Sequence, residues 1–301
     1  MWRPGERGLS ITPPPRAACS GPSFVKTCYK SDPEFDDCSR EAVQQLFNAL
    51  GPGLRDIGMQ PLDPLKIPKI RILQGEGPVN VNAALDDVTV TGFGKTEVLS
   101  SQVDSKTYDF RTKVRVPKIR IEGTYDLKGK ILLIPLVGRG ICWFEPTNMT
   151  IDIVSDVKVY TKDDYVFFNV TGAHVKYAIG GLKLRMNNLF DGIESLGTYS
   201  AILSLMDELQ NFSTSYAPSE RADVPLSYRN SEMLWSPEES TNAYLNANWR
   251  PVSESLRPIL SKTIEDILLG FMQRLFNNLP GDFMIGDIKD YVPSKKTEKK
   301  V

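Results

Sequence analysis

Apolar and polar residues alternate with a period of two across much of the chain between Lys69 and Met186. The alternation is clearest in Lys69 to Ile72, Val79 to Asn82, Val88 to Thr91, Lys113 to Val116, Lys118 to Glu122, Thr150 to Ile153, Val157 to Tyr160 and Leu182 to Arg185. Successive side chains on a strand point to opposite faces, so this pattern predicts long antiparallel strands with one face buried and charged partners facing water. Turns are expected at Gly75 to Gly77, Gly92 to Gly94, Asp126 to Gly129, Asp163-Asp164 and Gly180-Gly181. No segment of helical period interrupts the run, which argues against a parallel, crossover-connected sheet.

Helical spacing flanks this region on both sides. Val43, Leu46, Phe47 and Leu50 fall on one helical face, with Asp37 or Ser39 as the candidate cap and Gly51-Pro52-Gly53 as the stop. The proline-punctuated segment from Met59 to Pro68 reads as an extended connector into the sheet. From about Thr241 to Asn278, an apolar stripe through Leu245, Trp249, Val252, Leu256, Ile259, Leu260, Ile264, Ile267, Leu268, Phe271, Leu275 and Phe276 predicts one long amphipathic helix. Pro258 lies inside it and is expected to bend it. The expected fold class is α+β: a long antiparallel sheet wrapped around a long C-terminal helix.

Composition narrows the function classes. The 36 basic and 37 acidic side chains leave a net charge of -1, so there is no overall field to gather nucleic acid, and nucleic acid is not an expected partner. No window holds the eighteen or so consecutive apolar residues of a membrane span, so no stable membrane insertion is expected. The tail from residue 293 to 301 is basic and reads as a frayed terminus. Met1 to Ser20 carries arginines and three consecutive prolines but no apolar core of the kind an export signal needs, and residues 1 to 21 read as a disordered segment. Three sequons, at Asn148, Asn169 and Asn211, point outward nevertheless.

Catalytic and metal signatures are missing. The four cysteines, at 19, 28, 38 and 142, lack paired metal spacing, and His174 is the single histidine, so neither a metal site nor a cofactor is expected. Cys28 and Cys38 flank a polar, turn-forming segment that can fold back on itself, while Cys19 and Cys142 are left either paired or free. Gly94-Lys95-Thr96 resembles the end of a phosphate-binding loop, yet Thr89 stands where the first glycine is required. His174 has no nucleophile motif to serve, and Asp86-Asp87 and Asp163-Asp164 sit where aspartate favours turns. An enzyme is not expected.

Four ordered motifs carry a more specific signal: Cys28 to Cys38, Leu62 to Pro68, Ile121 to Tyr125 running into Gly129 to Gly140, and Leu245 to Trp249. Together they resemble the arthropod takeout/juvenile-hormone-binding family over residues 22 to 292. The resemblance implies a tubular lipid-binding fold, a super-rolled sheet enclosing a hydrophobic tunnel, and a Cys28–Cys38 disulfide. It also implies an extracellular carrier that binds juvenile hormone, another terpenoid or a fatty-acid-like ligand, with ties to circadian, feeding and chemosensory regulation. The tunnel end near the first helix makes Phe47, Leu50, Ile57, Met59 and Leu62 the expected pocket residues, and the chain is expected to act as a monomer. A secreted signalling or scaffolding protein holding a structural lipid is the alternative. Residues 198 to 239 interrupt the family pattern and read either as an added surface lid or as intron or gene-model sequence.

Overall fold

The computed structural model describes residues 22–74, 79–104, 106–131, 134–190 and 236–290. Cys19, the sequon at Asn211, most of the 198–239 insert and the basic tail lie outside them. Eight antiparallel strands form one sheet: β1 (Leu65–Gln74), β2 (Val79–Thr91), β3 (Glu97–Val103), β4 (Phe110–Lys118), β5 (Arg120–Ile131), β6 (Ile134–Lys162), β7 (Tyr165–Ala178) and β8 (Gly181–Met186). Helix α1 spans Phe35–Leu50, α2 Pro237–Ala247 and α3 Trp249–Asn278.

The strands are fewer in effect than in count. The 29-residue β6 is flanked along one edge by β5 and then β4, and along the other by β8 and then β7. β4 and β5 are therefore one long strand interrupted at Ile119, and β7 and β8 are one strand interrupted at Ile179-Gly180. β2 and β3 form a third such strand, broken by a short turn at Phe93–Lys95. The register places these interruptions on one line across the sheet: Thr91 opposite Arg120, Lys118 opposite Thr147, and Thr147 opposite Gly181. The Ile119 N–H donates to Pro146 O (3.1 Å) and the Gly180 N–H to Thr147 O (2.9 Å), carrying the chain over the crease. Gly92 is required there, because its φ of +109° and a Cβ only 2.2 Å from Lys118 O exclude any side chain. Interrupting the strands on both sides of the continuous β6 at one line lets a sheet that already twists roll up around its contents.

Several expected boundaries shift. Asp126 to Gly129 is not a turn but the interior of β5, paired with Arg139 to Leu136. Gly129 is there because β2 presses against it, a Cβ lying 2.1 Å from Asn80 O. Helix α1 begins before Asp37, at Phe35, with neither expected cap: Ser39 is buried and its hydroxyl lies 3.0 Å from that of Ser101 on β3. The buried Phe35 ring anchors the extra turn. The C-terminal stripe is two helices rather than one. Ser236, whose hydroxyl accepts the Glu239 N–H, and Pro237 start α2, and the chain breaks at Asn248. The helix runs through Pro258 without interruption. Among the described residues no helix is long and apolar enough to cross a membrane.

Candidate functional site

The inner face of the sheet and the helices enclose three apolar clusters, and α3 passes through all of them. At one end Leu245 of α2 and Val252 and Ile259 of α3 pack with Tyr125, Leu127, Leu136, Cys142 and Leu184. In the middle Leu260, Ile264 and Leu268 meet Val88, Val114, Val116, Ile151 and Tyr177. At the other end Leu275 and Phe276 meet Phe110, Phe168 and the residues of α1. Phe110 stacks on Phe276 with centroids 5.4 Å apart and meets the edge of Phe168 at 5.2 Å, which fills that end with aromatic rings.

Packing along α3 is uneven in a way that bears on function. Its buried side chains are Val252, Ser253, Ile259, Leu275 and Phe276. Between Ile259 and Leu275 no residue of the helix is buried, although Leu260, Ile264, Leu268, Leu269, Phe271 and Met272 all pack against the clusters. Sheet side chains packed against the middle cluster, Ile67, Ile70, Leu85 and Ile121, are likewise half-buried. Close-packed interiors rarely leave so many large apolar groups with free surface.

The five expected pocket residues all belong to the α1-end cluster, with differing exposure. Leu50, Met59 and Leu62 are buried, while Phe47 and Ile57 are half-buried, and Phe47 also reaches the middle cluster. That end is closed by a covalent and hydrogen-bonded knot. Cys28 and Cys38 are joined, with Cα atoms 5.8 Å apart. The Cys28 N–H donates to Met284 O (2.9 Å), the Gly286 N–H to Cys28 O (2.9 Å), and the Lys30 and Ser31 N–H groups to the Asp287 carboxylate (2.8 and 2.9 Å). Burial pushes the Asp287 carboxyl up, but these donors outweigh it and hold the group below its ordinary value.

The pattern of apolar residues does not reveal how the sheet edges are covered. On β8, the Met186 N–H donates to Asn242 Oδ1 (2.9 Å) while Asn242 Nδ2 donates to Met186 O (2.8 Å). Asn246 repeats the exchange with Leu184 at 2.9 and 2.8 Å. Four residues of helix rise about 6 Å and two residues of strand about 6.7 Å, so amides at i and i+4 match backbone groups at every second strand residue. The Asn242 and Asn246 side chains thus substitute for a missing strand. Further along the same edge, Arg257 donates to Tyr177 O, Glu265 accepts the Val175 N–H (2.9 Å) and Gln273 donates to Val170 O (2.9 Å). On β3, Gln44 of α1 accepts the Val98 N–H (2.8 Å) and donates to Thr96 O (3.0 Å). The asparagine spacing in the Leu245 to Trp249 motif and just before it is the sequence signal of this device.

Among the described residues no group of three His, Cys, Asp or Glu side chains could hold a metal ion. Cys142 is a free, buried thiol that burial pushes up to about 12. His174 is exposed on the outer face, its Nε2 3.1 Å from the Asp156 carboxylate.

The model for the haemolymph juvenile hormone binding protein family matches residues 13–203. The chain belongs to that family. Its relatives include a putative beta-carotene-binding protein of Schistocerca gregaria, 26% identical over 86% of this chain and 86% of the relative. The circadian clock-controlled protein daywake of Drosophila yakuba is 20% identical over 87% of this chain and 86% of the relative. Among solved structures, Epiphyas postvittana Takeout 1 superposes with a TM-score of 0.63 at 16% identity, covering 87% of this chain and 99% of that one. The juvenile hormone binding protein family is one of ligand carriers rather than enzymes, and membership supports a role in binding a lipophilic ligand.

Proposed function

We propose that the chain is an extracellular carrier that holds a small lipophilic molecule, of the juvenile-hormone, terpenoid or fatty-acid-like class, between the middle of α3 and the inner face of the sheet. The observation that carries this reading is the stretch of α3 from Leu260 to Met272, whose apolar side chains face apolar partners yet keep accessible surface. A ligand of about fifteen carbons would bury them with a gross gain near 10 kcal/mol at about 0.8 kcal/mol per methylene, and association costs bring that to micromolar or nanomolar affinity. Within the expected pocket set, Phe47 and Ile57 have surface left to give a ligand, while Leu50, Met59 and Leu62 are already buried.

Secretion is supported by the Cys28–Cys38 disulfide, which persists in oxidising compartments, and by the haemolymph setting in the family's description. The exposed sequon asparagines Asn148 and Asn169 fit the same setting. A regulatory role in circadian, feeding or chemosensory output is the physiological context proposed here, its circadian part supported by the daywake relatives. Native mass spectrometry of the gently purified protein tests the carrier reading. A set of exchangeable lipophiles is the expected result, whereas one lipid that cannot be displaced would favour a scaffold with a structural lipid.

A further inference from the structure

We infer that the outer face of the sheet at the end formed by β1, β2, β5 and β6 is a docking surface for anionic lipid bilayers. Few large apolar side chains are exposed among the described residues, and three of them lie on this one face: Leu73 (74% exposed), Ile141 (63%) and Val137 (38%). The register explains the grouping. Leu73, Asn82, Lys128 and Val137 form one row across the four strands, and Lys69, Asp86, Thr124 and Ile141 form another on the same face. Between them runs the row Arg71, Ala84, Asp126 and Arg139, and beyond them lies Lys130.

Charge on this face is segregated although the whole chain is nearly neutral. Lys69, Arg71, Lys128, Lys130 and Arg139 face two carboxylates, Asp86 and Asp126, and both carboxylates are already paired, with Lys69 and Arg139. Arg71, Lys128 and Lys130 have no carboxylate partner among the described residues, so these rows carry five cations against two anions. Aliphatic side chains interleaved with unopposed cations match a bilayer surface of anionic headgroups over an acyl boundary. A second protein or a second copy of this chain would have to cover scattered aliphatics alternating with like charges, which a flat apolar interface does not do. The face lies outside the apolar interior, so docking and ligand binding are separable, and a carrier docked here would stand at a membrane with its interior intact.

Co-sedimentation with vesicles tests this, using phosphatidylcholine alone and phosphatidylcholine with 30% phosphatidylserine, on the full chain. Binding to the anionic vesicles only, weakened by raising salt, is the expected result. Lys128→Glu/Lys130→Glu is expected to weaken partition about 30-fold or more, from the roughly fivefold that each basic side chain contributes at an anionic surface. Leu73→Ser/Ile141→Ser should weaken it on its own. Both variants are checked for unchanged thermal melting and unchanged binding of a fluorescent fatty-acid analogue, so that loss of the fold or of the interior site is seen separately. Equal binding to neutral vesicles, no sedimentation with either, or variants that partition as the parent does would overturn the inference. Concentration-dependent dimerisation abolished by the same substitutions would also overturn it.

Discussion

Asn242 and Asn246 show how much of this fold depends on single polar side chains placed at a strand edge. Each satisfies both a backbone donor and a backbone acceptor of β8, so truncation leaves two groups without partners in a part-buried seam. Asn242→Ala is expected to destabilise the protein by about 1–3 kcal/mol, read from chemical denaturation, and Asn242→Asp to be nearly as damaging because a carboxylate cannot donate to Met186 O. Gly129→Ala is expected to cost about 1–3 kcal/mol through overpacking against Asn80 and Val81, where a turn glycine would tolerate the change. A melting curve that does not move for Gly129→Ala would place Gly129 in a turn after all. These residues also mark a boundary of sequence reading. Glycine and aspartate signal a turn or a close backbone approach with the same letters, and only the strand pressing from the other side separates the two.

At the scale of elements, the closure at the α1 end couples the first and last described segments. The disulfide closes a short loop, which in the chain-entropy estimate is worth about 3 kcal/mol. The same loop is bonded to residues 283 to 287, so the Cys28→Ser/Cys38→Ser variant should lose hydrogen-exchange protection at Ile285 and Ile288 as well as in α1. Asp287 adds a pH dependence to that closure. Its carboxyl is held below the ordinary value in the folded chain, so the stability it contributes is present above about pH 4 and is lost as acidification passes through the lower folded value. Asp287→Asn should flatten the acid limb of a melting-temperature profile, and an unchanged slope would remove Asp287 from the account. The strands and the apolar stripes of α1 and α3 were legible because period two and period 3.6 survive in the residues that face the core. The continuity of β6 was not, since Pro146 and polar interruptions cut one 29-residue strand into apparently separate segments. Nor was the break at Asn248, where the apolar stripe continues across two helices and hides the change of axis.

For the whole molecule, the sheet rolls along the line through Gly92, Ile119, Pro146 and Gly180 and brings its inner face around α3, whose ends carry buried side chains and whose middle carries half-buried ones. The five expected pocket residues share one cluster, and exposure divides them into the half-buried Phe47 and Ile57 and the buried Leu50, Met59 and Leu62. Periodicity identifies which residues point inward and is silent on whether the space they face is filled. Narrowing that space is therefore the direct perturbation. Ile264→Trp is expected to lower affinity for a fifteen-carbon ligand at least tenfold with a small change in stability, because a half-buried site accepts the larger ring only where a ligand would lie. The central claim rests on one titration: displacement of a fluorescent fatty-acid analogue from the purified chain by a series of terpenoids and fatty acids. Saturable binding at micromolar or tighter affinity, competed by these lipophiles and weakened by Ile264→Trp, is the result expected of a carrier; no displaceable binding by any of them would contradict it.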